Sequence, residues 1–209
     1  SILGWYAVQL RQSSERNAQL GTEASALALE GHLSRTVAAA ANTQEALAGT
    51  TLVSAAAINP HALSRLLAQQ LQGQPFLRSV SVLDDQGVVL ASSHAPDAGL
   101  RVPLAQLRPA DTALGVDRVG PLLQVRHLGE LAPGATPSAW STSLPMVRSV
   151  RAADGSTRWL ELLLNLAYVT NQHGLATGDQ PLRALVLDLT GTVLARTGPD
   201  DRKTGDRLP

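Results

Sequence analysis

The sequence contains no cysteine, few aromatic residues and no excess of charge of either sign. The lack of cysteine excludes disulfide bonds, thiolate metal sites and cysteine nucleophiles from the 209 residues. Basic and acidic residues number 17 each, so the chain lacks the one-sign field that nucleic-acid binding requires. Because only 3% of the residues are aromatic, the core has to be built from Leu, Val and Ala.

Sequence motifs of enzyme active sites are also missing. The chain has no Gly-x-Ser-x-Gly elbow, no Gly-x-x-x-x-Gly-Lys loop, no Gly-x-Gly-x-x-Gly loop and no His-Glu-x-x-His motif. The five histidines are far apart, and none is predicted to stand at metal-ligand spacing from a carboxylate or a second histidine. We therefore expect no catalytic residue, no metal and no cofactor.

The first eight residues are apolar and include the pair Trp5-Tyr6. A spanning helix needs about 20 apolar residues, so this run is too short to be one. Trp and Tyr concentrate where hydrocarbon meets water, and the run is therefore typical of the last turns of a spanning helix. We expect a membrane-tethered chain outside the cytoplasm. The alternative is an ordinary helix start whose aromatic rings pack on a neighbour.

Residues 4–48 contain no proline and are rich in strong helix formers. Small and apolar residues recur in two lines at helical spacing, which predicts one long helix with two usable faces. We expect one face to pack on the domain and the other to pair with a second copy in a homodimer; the alternative is a core helix of a monomer. One line comprises Leu10, Ser13, Leu20, Ala24, Leu27, Gly31, Ser34, Ala38 and Ala41, and the other Leu29, Leu33, Val37 and Ala40.

The pair Asn59-Pro60 predicts the start of a second helix, because Asn caps helices and Pro suits their first turn. Gly73 and Pro75 end this helix. Strand signals follow, interrupted by an irregular Pro-rich stretch from 94 to about 117. The predicted strands are 78–83, 88–92, 122–128, 140–152 and 157–166.

One ten-residue segment occurs twice, at 82–91 and 186–195. The copies are identical at seven of ten positions, and a Leu-Arg pair precedes each. Both predict a buried strand, a tight Asp-to-Gly turn and a second buried strand. We interpret the repeat as a duplicated domain. The expected divisions are a long helix over 1–48, a first lobe over 49–175 and the start of a second, incomplete lobe over 176–209.

This order of elements resembles the Cache sensor domains of bacterial transmembrane receptors. The resemblance implies an α+β, PAS-like double-Cache fold, with antiparallel-sheet lobes threaded on one long helix. It also implies that the distal lobe binds a small molecule and that helices pass the signal to a cytoplasmic diguanylate cyclase or histidine kinase domain. The segments that carry the resemblance are 77–93, 144–150, Asp154-Gly155, Trp159, Asn165 and Tyr168.

The family's amino-acid chemoreceptors include some with an Arg-x-Trp-Tyr run, which is not present here, so we do not expect a standard amino-acid pocket. If Asp154-Gly155 is a two-residue turn, Arg148 lies opposite Glu161, and Val150 lies opposite Trp159. The guanidinium of Arg148 would then project from an apolar strand face and suit a carboxylate ligand. The alternative is that Arg148 only pairs with Glu161.

Trp140 and Tyr168 are candidates to line a cavity, although simple packing would explain them equally well. In the Arg126-His127 pair, one side chain has to point inward from the predicted strand. The predicted ligand-contact residues are Arg126, Trp140, Arg148, Trp159 and Tyr168.

These observations favour the periplasmic small-molecule sensing domain of a transmembrane receptor. Three alternatives remain open: a ligand-free dimerisation or docking scaffold, a chemoreceptor sensor, and a hydrolase of unfamiliar type.

Overall fold

The computed structural model describes residues 27–50, 53, 55, 59–108, 115–136, 141–168, 185–187, 193–196 and 206–207. Helix α1 covers residues 27–48, and helix α2 covers Pro60–Leu71. The strands are β1 (Leu77–Leu83), β2 (Val89–Ser92), β3 (Arg118–Val119), β4 (Ser143–Arg151), β5 (Thr157–Asn165), β6 (Leu185–Leu187) and β7 (Val193–Arg196). Among the helices in these ranges, none combines the length and apolarity needed to cross a bilayer.

Strands β1 to β5 form one antiparallel sheet in the order β2-β1-β5-β4-β3. The two longest strands, β4 and β5, lie next to each other, and β1 pairs with the free side of β5. The α+β fold class predicted from the sequence is therefore confirmed. The predicted cap of α2 is also present, since the side chain of Asn59 accepts a hydrogen bond from the amide of Ala62 at 3.1 Å.

Helix α1 buries one stripe against the sheet. Its buried residues follow helical spacing and include two polar side chains. The amide nitrogen of Gln44 donates to the carbonyls of Met146 on β4, at 3.0 Å, and of Leu160 on β5, at 2.9 Å. In the line of small and apolar residues that was predicted to run from Leu10 to Ala41, Leu27, Ser34 and Ala38 are exposed. The buried stripe comprises Leu29, Thr36, Ala40, Gln44 and Leu47.

The two faces of the sheet carry separate cores. Helices α1 and α2 pack on one face, here called the helix-covered face. The other, the loop-covered face, lies under residues 93–108 and 115–136, which we call the covering segment. Apolar residues of this segment, such as Val102 and Leu128, pack with Val147, Trp159 and Leu163 of the sheet. Mostly irregular chain, with three short 3-10 turns, thus packs on this face of the sheet.

The strand predicted over 122–128 is wrong. The chain there makes only an isolated bridge, from Leu123 to Ser143, and then enters a 3-10 turn at Leu128–Leu131. The edge strand is β3, just before Gly120-Pro121, and proline has no N–H with which to continue a ladder. Leu123, Val125 and Leu128 pack onto the loop-covered face, whereas Leu122 packs against the core of the helix-covered face.

The repeated segment adopts the same local structure twice. In the first copy Ser81, Val82 and Leu83 pair with Ser92, Ala91 and Val89, with a register shift after Val82. In the second copy, Leu185, Val186 and Leu187 pair with Arg196, Ala195 and Val193, with the shift after Val186. Every pairing is displaced by the 104 residues that separate the copies in sequence. The second hairpin forms its own two-stranded sheet, outside the five-stranded one. The division into two lobes stays a prediction that this correspondence supports.

We predict that Gln44→Ala lowers the free energy of unfolding by about 2 kcal/mol, because two buried hydrogen bonds of roughly 1 kcal/mol each are lost and a small cavity is left. Urea unfolding measures this change. The control is Gln70→Ala on the exposed side of α2, which should stay within about 0.5 kcal/mol of the wild type. Equal stability of the two variants would show that Gln44 does not fasten α1 to the sheet.

Candidate functional site

The loop-covered face is polar at its centre. Trp159, Glu161 and Leu163 point to this side, since alternate strand residues share a face and the first and last belong to its apolar core. Ser81 of β1 lies directly opposite Glu161, and Ser79 lies opposite Leu163. These two serines and Glu161 are fully buried. A carboxyl group and two hydroxyls thus lie between the sheet and the covering segment.

Glu161 is the unusual member of this group. Its side chain is 0% exposed, and neither carboxyl oxygen has a hydrogen-bond partner within the described residues. The hydroxyl of Ser79 is also buried without a hydrogen-bond partner within the described residues, whereas the hydroxyl of Ser81 donates a hydrogen bond to that of Ser92 at 3.0 Å. Buried polar groups in proteins are nearly always hydrogen-bonded, and leaving one unpaired costs about 1–3 kcal/mol. A bound molecule with hydrogen-bond donors would supply what Glu161 lacks.

Burial raises the pKa of Glu161 well above its usual value of 4.5, because the charged form loses its hydration. The negative charge of Asp97, on the covering segment, raises this pKa further. The free protein therefore favours a neutral carboxylic acid at this position. A cationic group brought into the site would reverse the balance, since an opposite charge stabilises the carboxylate.

The aromatic ring of Trp159 lies beside Glu161 on the same strand face and is mostly buried. Across the strands, Trp159 faces Ser149 on β4 and Leu83 on β1. The guanidinium carbon of Arg108, from the covering segment, lies 4.4 Å from the centre of the Trp159 ring. The buried Nε of Arg108 has no hydrogen-bond partner within the described residues. A guanidinium whose Nε is unpaired and a carboxyl group with both oxygens unpaired, within the described residues, therefore lie near Trp159.

A concavity lies on the outside of the domain, between α2 and the end of β2. It has a volume of about 360 Å³ and is lined by His61, Ser64 and Arg65 of α2 and by Ser92 and Ala95, among others. Both His61 and Arg65 are exposed to solvent. Of the lining side chains, none holds a buried polar atom without a partner. The loop-covered face is therefore the stronger candidate.

The predicted position of Arg148 was wrong by one residue. Arg148 pairs with Leu160, and Glu161 pairs with Val147, because the turn between β4 and β5 is longer than the two residues assumed. Arg148 consequently lies on the helix-covered face with Met146 and Val150, and its guanidinium contacts Asp117 at 3.3 Å. The alternative, an ion pair with Glu161, is wrong for the same reason.

The other predicted residues are scattered, apart from Trp159. Arg126 is exposed and lies in a turn; its backbone amide donates to Glu130 at 2.9 Å. Tyr168 lies near α1, its ring centre 5.8 Å from that of His32. Trp140 is outside the described residues. Of the four that lie in the described residues, the structure places Trp159 beside Glu161, and ligand contact by all five stays a prediction.

Sequence reasoning named Glu161 only as a partner for Arg148 and did not name Arg108. A signal for Glu161 was available, because it is the one charged residue in the run Trp159–Leu164. A charge inside an otherwise apolar strand has to be buried, paired or functional. Arg108 had no such signal, since it follows a 3-10 turn in irregular chain.

Comparison with known proteins places this fold. A scan against protein-family models gives no match, and a search of curated proteins gives none either. Among solved structures, the extracellular domain of the proposed histidine kinase rpHK1S-Z16 is similar, with a TM-score of 0.59 and 16% identity over 81% of this chain and 68% of that chain. An extracellular ligand-binding receptor from Desulfohalobium retbaense also gives a TM-score of 0.59, with 12% identity over 90% of this chain and 32% of that one.

The ligand-binding domain of the Pseudomonas fluorescens chemoreceptor CtaA, solved with L-valine, has a TM-score of 0.55 and 14% identity over 85% of this chain and 73% of that chain. At these identities the comparisons show the fold alone. The fold is similar to that of an extracellular histidine kinase domain, an extracellular ligand-binding receptor and a chemoreceptor ligand-binding domain, as the resemblance to Cache sensors implied. The double-Cache arrangement stays a prediction.

We predict that Glu161→Gln flattens the pH dependence of stability. Because the pKa of Glu161 is higher in the native state than in the unfolded state, the native state holds the Glu161 proton more tightly. The resulting contribution to the free energy of unfolding is complete below about pH 4.5 and is lost as pH rises through the native pKa. Urea unfolding between pH 4.5 and pH 8 should show the wild type losing stability relative to Glu161→Gln as pH rises. Exposed Glu45→Gln is the control and should follow the wild type. Parallel curves for wild type and Glu161→Gln would contradict the raised pKa.

Proposed function

We propose that this chain is the extracytoplasmic ligand-sensing domain of a membrane-anchored signalling receptor, and that its ligand binds against Glu161 on the loop-covered face. The observation that carries the proposal is the fully buried Glu161 carboxyl group, with both oxygens unpaired within the described residues. The fold supports it, since the similar solved structures are an extracellular domain of a histidine kinase, an extracellular ligand-binding receptor and a ligand-binding domain of a chemoreceptor.

The chemistry of the site defines the ligand class. The two unpaired oxygens of Glu161 would accept hydrogen bonds from a ligand group with several N–H donors. An ammonium group fits best, because its positive charge would also offset the cost of ionising a buried carboxyl group. The planar guanidinium of Arg108 can donate hydrogen bonds to a carboxylate, which is the role predicted from the sequence for Arg148. Trp159 between them supplies an apolar wall. We infer a small molecule that carries an amino group, with a carboxylate as a second feature. L-valine, the ligand in the CtaA structure, has both groups.

Signal transfer follows from the position of α1. A ligand that prefers one arrangement of the sheet and covering segment shifts the population toward it, by no more than its difference in affinity. Gln44 ties α1 to β4 and β5, so a change in the spacing of these strands reaches the helix. The exposed line of Leu27, Ser34 and Ala38 is the surface on which a second copy would pair. The homodimer, the membrane tether and a kinase or cyclase output domain belong to this proposal.

The test is thermal unfolding of the purified chain with free amino acids, simple amines and simple carboxylates added singly. A true ligand stabilises the native state by mass action, by about 2.7 kcal/mol at 100 times its Kd. We expect stabilisation by a compound that carries an amino group, loss of that effect in Glu161→Gln, and its retention in the exposed control Glu45→Gln. Arg108→Ala should weaken binding only of compounds that also carry a carboxylate.

Two results would contradict the proposal. A stabilising compound that acts equally on the wild type and on Glu161→Gln binds elsewhere. If no amine or amino acid stabilises the wild type while Glu161→Leu raises the melting temperature, Glu161 is a buried charge without a ligand, and the ligand-free scaffold is the better interpretation.

A further inference from the structure

Three potential metal ligands converge at the edge of the covering segment. The Nδ1 atom of His94 lies 3.0 Å from Oδ1 of Asp97, and the Nδ1 atom of His127 lies 2.7 Å from the same oxygen. The two imidazole rings are 3.9 Å apart between centres and inclined by 31°. Within the described ranges, this is the group of His and carboxylate side chains that meets the geometry of a metal site. The expectation that no histidine stands at ligand spacing from a carboxylate is therefore wrong.

Local structure brings the three together. His94 immediately precedes the 3-10 turn Ala95–Asp97, so the two side chains are three residues apart on one turn. His127 immediately precedes the turn Leu128–Leu131 and approaches from the other side. A side chain at Gly129 would collide with Oδ1 of Asp97, so only glycine permits this approach. The turns that carry the three residues pack against each other and fix the geometry.

The surroundings match those of known metal ligands. Asp97 is 1% exposed, and its second oxygen is buried without a partner within the described residues. The other ring nitrogen of His127 lies 3.6 Å from a carboxyl oxygen of Glu130. A histidine that ligates a metal almost always donates its second ring N–H to a carboxylate, a backbone carbonyl or a water molecule, and Glu130 is placed to be such a partner.

We propose that His94, Asp97 and His127 form a binding site for a divalent transition-metal ion, with zinc as the first candidate. Two imidazole nitrogens and one carboxylate oxygen are a common zinc set, at metal–ligand distances of about 2.0–2.2 Å. Small movements of the two rings away from Oδ1 would place an ion between the three atoms. His94 and His127 are 42% and 27% exposed, so a fourth position faces solvent. The ion would tie the turn after β2 to the 122–131 part of the covering segment.

The test uses zinc alone, added to the full 209-residue chain after removal of any affinity tag. Isothermal titration should give one saturable site in the wild type. The same site should bind Co²⁺ and give visible d–d absorption, which reports direct coordination. His94→Ala and His127→Ala should abolish both signals. His61→Ala removes an exposed histidine outside the cluster and should leave them unchanged. Glu130→Gln should weaken zinc binding by about 10- to 100-fold.

Circular dichroism of each metal-free variant verifies its fold. Saturable binding that survives in folded His94→Ala and His127→Ala would overturn the proposal. So would the absence of saturable binding in the wild type, because Asp97 would then serve only as acceptor for two imidazole N–H groups. Since neither readout involves Glu161, failure here leaves the ligand-sensing proposal standing, and the reverse is also true.

Discussion

The proposed ligand site depends on the burial of one carboxyl group. Glu161 lies in the middle of a five-stranded sheet, on the face that irregular chain covers, and both of its oxygens are unpaired within the described residues. Such a group destabilises the native state when it is charged, so its presence needs a compensating reason. A site for a cationic ligand provides one, because the ligand then supplies both the charge and the hydrogen bonds that the protein omits. Enzymes and receptors commonly accept such local instability at their functional sites.

The two faces of the sheet differ in what covers them and in the polar groups that they bury. The helix-covered face is an apolar core in which Gln44 and Arg158 hydrogen-bond to backbone carbonyls, and this arrangement fixes the position of α1. The loop-covered face combines apolar packing with Glu161, Ser79 and the Trp159–Arg108 pair. Strand β5 contributes alternately to both faces, with Leu160 on one side and Glu161 on the other. In the proposed mechanism, a single layer of backbone separates the ligand from the side chains that pack against α1.

Much of the fold follows from local sequence rules, and the site follows much less. The cap at Asn59, strands β1, β2, β4 and β5, and the repeated hairpin all express patterns within a few residues of one another. The hairpin even repeats its bulge, because identical residues meet identical partners. The site instead depends on the β4–β5 register, where a one-residue change in turn length moved Arg148 to the opposite face. It also depends on irregular chain that brings Arg108, Asp97 and His127 over the sheet, and no periodicity in the sequence encodes that path.

The most direct test of the central claim is infrared difference spectroscopy of the Glu161 carboxyl group. The C=O stretch of a protonated acid is separate from carboxylate bands, and subtraction of Glu161→Gln spectra isolates this residue. The account predicts a protonated Glu161 that persists well above the usual carboxyl range in the free protein, and its deprotonation when an ammonium-bearing ligand binds. An ordinary titration near pH 4.5 in the free protein, or a ligand that leaves the Glu161 band unchanged, would contradict it.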